Sequence, residues 1–499
     1  MKMNKIYKSL GLLLVLSLFS SCYKDHSVNG DHPLAVVKVT EPIASVQTAT
    51  FGEVTVIKSP AYTITTGASV TPSYEWIVDG VVVSTEKDLS YSPTSYGKHD
   101  ARLRMYTPDG SYFYRFTIDV PFRYVDGLYV LASNEGKTIL SYLPGGEKTD
   151  AFDLDAFGRS NPTIDMTGDP QSMLFYRYVP GAGASRSYLG IALGLPTRYY
   201  RVSADSLKVL TPRISFTNPV DFSHASGNQA TVREYFISGA NVWELEKTGN
   251  IPAKKHDRYL SPVAPGYSLA SAIVNWRALT GTRISEGMAF FDNAGSNLLY
   301  MILGSRVTVK KVRTFTASAF PGGAPEETNP FEGMTLIDMK SGGEGNFTYN
   351  YTLLLLKRNS DSKYFVARLR AGDFAGTTTL DGAAVSLVEF TEGTPTHLMP
   401  NLAGTAALVA TADKVYFYNM ANTTATDHPA WISLPSGQTI ASMALTTDNR
   451  LFIGANGTGS GLVGSIYSYN VAGITPVLLK SEEGITGKIK QIVYRQFNN

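Results

Sequence analysis

Tyr351-Thr352-Leu353-Leu354-Leu355-Leu356, the polar Lys357-Arg358-Asn359-Ser360-Asp361-Ser362-Lys363, then Tyr364-Phe365-Val366-Ala367-Arg368-Leu369 decide the fold. The two flanking runs are short, apolar or aromatic, and rich in strand formers, and the segment between them is made of turn residues. The same sense returns along the chain: apolar strand, polar turn, aromatic strand. Residues 128–132 precede 138–143, and 235–238 precede 241–245. Residues 288–292 precede 298–302, 406–410 precede 415–418, and 450–454 precede 465–469. Such a pair is the middle hairpin of a propeller blade.

Residues 123–499 are therefore read as a β-propeller. At roughly 40–50 residues per blade the region holds seven or eight blades, taken here as seven, with six to eight as the range. Two further β-sandwiches or a solenoid are the alternatives. Forty-five glycines, 25 prolines and 29 tyrosines agree with an all-β chain.

Outward from that region, residues 36–122 read as a small immunoglobulin-like sandwich. Val54-Thr55-Val56-Ile57 and Tyr62-Thr63-Ile64 are short β-rich runs. Tyr74-Glu75-Trp76-Ile77-Val78 alternates, with Tyr74, Trp76 and Val78 on one face, and Asp79-Gly80 supplies a turn before Val81-Val82-Val83. Residues 102–106 and 113–118 flank Pro108-Asp109-Gly110, a hairpin signal. Trp76 is read as a core residue, with surface sugar stacking as the alternative.

The N-terminus is a different object. Lys2, Lys5 and Lys8 precede an apolar run from Leu10 to Phe19. A membrane span needs roughly 20 apolar residues, so this run has signal-peptide length instead. Ser20-Ser21-Cys22 resembles the lipobox of bacterial lipoproteins, although Phe19 replaces the usual leucine. Cys22 is the only cysteine in 499 residues, which excludes an internal disulfide and a cysteine nucleophile in the mature body. The expectation is a signal peptide at 1–21 and a lipidated Cys22, with 22–35 forming a flexible tether. Removing residues 1–21, with three lysines and no acid, takes the formal charge from +2 to −1. That balance gives no reason to expect a nucleic-acid partner.

Tyr74-x-Trp76-x-Val78-Asp79-Gly80, Ser84-Thr85-Glu86-Lys87-Asp88-Leu89 and Gly127-Leu128-Tyr129-Val130-Leu131 together resemble the PKD-like family of bacterial surface lipoproteins. Cys22-Tyr23-Lys24-Asp25 is similar to the start of that group, and Lys24-Asp25 resembles a surface-export address. The resemblance covers residues 22 to about 145. It implies an outer-membrane, surface-exposed protein working beside a TonB-dependent nutrient transporter and its lid lipoprotein. It carries no catalytic residues.

The chemistry in the residues themselves is thin. The seven histidines (His26, His32, His99, His224, His256, His397 and His428) show no zinc spacing, and no metal or cofactor is expected. No nucleophile elbow or phosphate-cradling loop is legible. Asp427-His428 is an adjacent acid–base pair in a loop context, read as a surface turn. Phe175-Tyr176-Arg177-Tyr178 and Arg198-Tyr199-Tyr200-Arg201 combine flat rings with guanidinium groups, as ligand-binding faces do. Tyr176, Arg177, Tyr178, Tyr199, Tyr200 and Arg201 are therefore the candidate binding residues for a glycan or peptide. The expected role is a non-enzymatic binding or accessory protein. A propeller-type polysaccharide hydrolase or lyase and a structural or adhesive protein are the alternatives.

Overall fold

The computed structural model describes residues 34–65, 70–149, 151–178, 186–194, 198–210, 214–215, 221–225, 233–238, 241–246, 254–255, 268–280, 283–302, 308–316, 326–342, 351–370, 379–381, 385–402, 405–420 and 428–496. Residues 1–33, which hold the expected signal peptide, Cys22 and most of the expected tether, lie outside them. The chain is all-β and divides into two compact units, one ending at Phe122 and one beginning at Arg123.

The N-terminal unit has nine strands: β1 (Val37–Glu41), β2 (Val46–Thr48), β3 (Thr55–Ile57), β4 (Ala61–Ile64), β5 (Ser73–Val78), β6 (Val81–Ser84), β7 (Leu89–Tyr91), β8 (Gly97–Thr107) and β9 (Gly110–Val120). A five-stranded sheet runs β2-β9-β8-β5-β6, and β1-β4 and β3-β7 form separate ladders. Strict alternation sends Tyr74, Trp76, Val78, Ala101, Leu103, Met105, Phe116, Ile118 and Val120 to one face. There they pack with Val37, Ile57 and Leu89 from the small ladders. Trp76 is fully buried, its ring edge-on to Phe116, and its Nε1 donates to the Glu86 carbonyl at 2.9 Å. A ring in that position has no face for a sugar, so the stacking alternative falls. Asp79 and Gly80 both take positive φ in the β5–β6 turn. Asp79 is held there by His99 Nδ1 at 2.6 Å and by the Asp100 amide at 3.0 Å. That hydrogen bond raises the His99 pKa and lowers that of Asp79.

The C-terminal unit begins with β10 (Gly127–Asn134) and β11 (Lys137–Pro144), whose sheet is completed by β39 (Lys488–Arg495). A five-residue helix, α1 (Ala156–Ser160), follows, capped by the Asp155 carboxylate accepting from Gly158 N. Then come three sheets of four: β12 (Asp169–Tyr178), β13 (Arg186–Gly194), β14 (Arg198–Ser203) and β15 (Ile214–Ser215); β16 (Asp221–Ala225), β17 (Arg233–Ser238), β18 (Asn241–Glu246) and β19 (Lys254–Lys255); β20 (Leu269–Thr280), β21 (Arg283–Asp292), β22 (Asn297–Ile302) and β23 (Thr308–Lys311). A small sheet of β24 (Arg313–Thr316), β25 (Glu326–Thr328) and β29 (Thr379–Asp381) intervenes. The next sheet is β26 (Met334–Gly342), β27 (Tyr351–Arg358), β28 (Tyr364–Arg370) and β30 (Val385–Phe390). The last two are β31 (His397–Pro400), β32 (Ala406–Ala410), β33 (Lys414–Asn419) and β34 (Ile432–Ser433), then β35 (Thr439–Leu445), β36 (Arg450–Asn456), β37 (Gly464–Asn470) and β38 (Val477–Thr486).

No sheet among the described residues closes on itself. One edge strand of each of seven sheets instead lies beside an edge strand of the next, in the order β39, β12, β16, β20, β26, β31, β35, and β35 returns to β39; the small β24-β25-β29 sheet stands outside this order. This propeller-like succession explains the uninterrupted apolar runs, because a middle strand is buried on both faces. In β10, Leu128, Val130 and Ala132 share a core with Phe452, Ile466 and Ile492, while Tyr129 and Leu131 share another with Met173, Leu189 and Ile191. In β27, Leu353 and Leu355 face Leu398 and Val409, and Leu354 and Leu356 share a core with Ala289 and Phe291. Each such side chain gains about 1.5–3 kcal/mol relative to exposure.

Polar groups fix the closing strand. The Arg495 guanidinium is buried, and Nη1 donates to the carbonyls of Tyr124 and Ala204, each at 2.7 Å. Nη2 pairs with the Asp205 carboxylate. On the neighbouring seam, Arg450 donates to Gly145 O at 2.9 Å and to Tyr494 Oη at 3.1 Å. Tyr494 in turn donates to Asp126 Oδ1 at 2.8 Å.

Candidate functional site

The ring of inner strands carries a recurrent irregularity. The pairing register slips between Pro170 and Ser172, between Leu336 and Asp338, and between Ile440 and Ser442. On β39 the slip falls between Ile489 and Gln491, leaving Lys490 as the extra residue. Such bulges re-aim side chains and locally end regular pairing. At three of these four slips the residue just past the slip reaches the next inner strand, whereas the buried Ser172 hydroxyl makes no such bond. Asp338 Oδ2 accepts from Leu398 N at 2.9 Å, Ser442 Oγ from Ile492 N at 3.1 Å, and Gln491 Oε1 from Met173 N at 2.7 Å.

Charged groups gather at this level. Asp338 Oδ1 accepts from its neighbour Met339 N at 2.8 Å and pairs with Lys340 Nζ at 3.1 Å. His397 opens β31 on the adjoining inner strand. Burial pushes its pKa below the ordinary value; the Asp338 carboxylate opposes this, Lys340 and Lys490 add to it, and a backbone hydrogen bond to Ile440 opposes it. Asp338, Lys340, His397, Ile440 and Lys490 thus span four consecutive inner strands, β26, β31, β35 and β39. Lys340 and Lys490 are exposed. At neutral pH the cluster holds two ammonium groups, one neutral imidazole and one carboxylate already engaged by two amides and a lysine. Its surplus is positive, and it suits a carboxylate or similar anion.

The residues singled out in the sequence sit elsewhere. Tyr199 and Tyr200 on β14 are each only 1% exposed. Tyr200 packs edge-on to Phe157 and donates to Asp165 O at 3.2 Å. Burial raises the Tyr199 pKa, with the Arg201 guanidinium acting against it. Both rings are core packing, and neither offers a face to a ligand. Arg201 is half-buried beside them. Tyr176, Arg177 and Tyr178 belong to β12; their side chains lie outside the described residues. β13 separates the two strands, and Tyr176 registers through Tyr188 with Ser203, not with Tyr199 or Tyr200. The two clusters are therefore not one site. Asp427 lies outside the described residues, while the His428 ring stacks on Tyr418 with centroids 3.9 Å apart.

No protein-family model matches the chain, and no curated protein matches it. The resemblance of residues 22–145 to PKD-like lipoproteins therefore has no family match behind it, and its Gly127–Leu131 portion falls in β10 of the C-terminal unit. Among solved structures the chain is similar to a quinonprotein alcohol dehydrogenase-like protein from Bacteroides thetaiotaomicron, at 14% identity and TM-score 0.43, over 92% of this chain and 99% of that one. A functionally unknown protein from Desulfotomaculum acetoxidans is similar at 12% identity and TM-score 0.42, over 73% and 98%. The Dos1 propeller is similar at 10% identity and TM-score 0.40, over 74% and 89%. The chain is all-β, and its neighbours among solved structures include propeller-like proteins.

Proposed function

We propose that the chain is a lipid-anchored protein of the outer-membrane surface that binds an anionic glycan or peptide for a TonB-dependent nutrient-uptake system. In this reading residues 36–122 are a PKD- or immunoglobulin-like sandwich and residues 123–499 a seven-bladed propeller. Cys22 carries the lipid, and an outer-membrane transporter and its lid lipoprotein are the partners. The motif resemblance and the lone cysteine after a signal-like run support the setting. The observation that carries the binding role is the gathering of Lys340 and Lys490 about His397, with the neighbouring Asp338 already satisfied.

The test uses the soluble chain from Tyr23 onward with polygalacturonate, a neutral glucan and an acidic peptide, reading binding and product release side by side. Saturable binding of an anionic probe should fall at least tenfold in Lys340→Met/Lys490→Met, from the loss of two charge-assisted contacts of about 1.5–3 kcal/mol each. His397 acquires its charge below its ordinary pKa of about 6.5, whereas a ligand carboxylate stays ionised to about pH 4. Affinity should therefore rise as the pH falls from 7 to 5, and this rise should vanish in His397→Gln. Binding indifferent to both changes removes the site. The hydrolase or lyase reading is supported by the burial of His397, which lowers its pKa and so favours the neutral imidazole, a competent proton acceptor. Product release abolished by His397→Gln would establish it.

A further inference from the structure

The buried face of the five-stranded sheet in the N-terminal unit is an ordinary apolar core; its other face is not. Arg102 on β8 lies directly opposite Arg115 on β9. Like charges in that relation destabilise a sheet. No carboxylate among the described residues pairs with either. The next pair toward the β8–β9 turn is Arg104 opposite Phe113; Arg104 Nε donates to Ser111 Oγ at 3.3 Å, and its Nη1 lies 3.4 Å from Glu75. At the other end of the same two strands Lys98 lies opposite Asp119, an ordinary complementary pair. Asp100, opposite Thr117, lies between the two pairs on the same face, and no ion pair joins it to Arg102 or Arg115 among the described residues.

Arg102 and Arg104 are held in place. Arg104 lies over the Tyr106 ring at 4.7 Å and over Phe113 at 5.8 Å, and Arg102 lies over Phe113 at 5.9 Å. Tyr106 and Phe113 are 37% and 53% exposed, far more than the core requires. A guanidinium lying over a ring can still present N–H groups to a carboxylate; Arg102 has no ion-pair partner among the described residues, while Arg104 already uses Nε and Nη1 on Ser111 and Glu75. Val82, on the edge strand β6 and 50% exposed, extends the patch with apolar surface beside Ile77. Arginine with tyrosine and phenylalanine, bordered by aliphatic side chains, is the composition of the centre of a protein–protein interface.

We infer that this face docks an acidic segment of a partner protein, whose carboxylates relieve the Arg102–Arg115 opposition. The surface belongs to the N-terminal unit and the Lys340–Lys490 cluster to the C-terminal unit, so either assignment can fail without the other.

The experiment uses the full mature chain carrying Lys340→Met/Lys490→Met, which silences the other cationic site, with poly-L-glutamate and polygalacturonate as probes. Poly-L-glutamate should bind saturably and salt-sensitively, and Arg102→Ala/Arg115→Ala should weaken it at least tenfold. Calorimetry gives an independent readout. Arg115→Glu replaces a like-charge pair with a complementary one, so the transition of the N-terminal unit should rise by about 1–5 °C while binding is lost. A residue kept only for structure would lower that transition. Binding unchanged by the double substitution, a lowered transition in Arg115→Glu, or stronger arginine-dependent binding of polygalacturonate than of poly-L-glutamate would each overturn the inference.

Discussion

The two units solve the same problem, fixing the position of β-strands, by different means. In the N-terminal unit one sheet face is closed by apolar shape, with Trp76 at the centre and Tyr74, Leu103 and Phe116 around it. In the C-terminal unit each sheet must be located against two neighbours, and apolar faces alone permit sliding. There the alignment is set by directional bonds from Asp338, Ser442 and Gln491 to the next inner strand, and by Arg495 at the seam. Dispersion and burial fix a stack of layers; a ring also needs hydrogen bonds that define height.

The sharpest way to break this contrast is Trp76→Ala, which should cost the N-terminal unit about 3–5 kcal/mol, as for other emptied aromatic core sites. Calorimetry of the full chain should show one transition falling while the other stays. A shared fall would mean that the units do not melt separately. Arg495→Leu comes next. Removing one partner of a buried pair costs about 3–5 kcal/mol, but Asp205 keeps 28% of its side chain exposed, so about 2–3 kcal/mol is expected here. Tyr129 Oη already donates to the Tyr124 carbonyl at 2.6 Å and continues to satisfy it. Urea denaturation measures this, and a loss under 1 kcal/mol would show that the apolar seam alone closes the ring. The smallest effect belongs to Ser442→Ala, which leaves Ile492 N–H without its acceptor and should cost about 1 kcal/mol. Amide hydrogen exchange at Ile492 reads it directly; unchanged protection there would sink the idea that these bonds set the height of the strands.

The hairpins were legible from sequence and the inner strands were not. Each of the six quoted pairs forms adjacent antiparallel strands, β10–β11, β17–β18, β21–β22, β27–β28, β32–β33 and β36–β37. Burial on both faces made those runs apolar, and tight turns separated them. Inner strands such as β26 and β39 carry a slipped register, which spoils the alternation that would mark them. The Tyr–Arg clusters at 175–178 and 198–201 belong to the first and third strands of one sheet; Tyr200 packs in the core between sheets and Tyr199 is buried, while the side chains of Tyr176, Arg177 and Tyr178 lie outside the described residues. Asp338, Lys340, His397 and Lys490 come together only through the order of the ring, across about 150 residues of chain. The one sequence signal was a hydrogen-bonding side chain within inner strands of mixed polarity, at Asp338, Ser442 and Gln491.

The pairing of β10 with β39 also sets a timetable. Asp126 and Tyr494, bonded to each other, are 368 residues apart. A ribosome adding about 5–20 residues per second delivers the second roughly 20–70 s after the first. Throughout that interval one edge of β10 has no partner, and an open edge is a template for pairing with any other extended chain. Synthesis alone cannot finish this unit from its N-terminal end. It needs either a chain kept unfolded until its last strand is available, or a factor that shields β10 in the meantime.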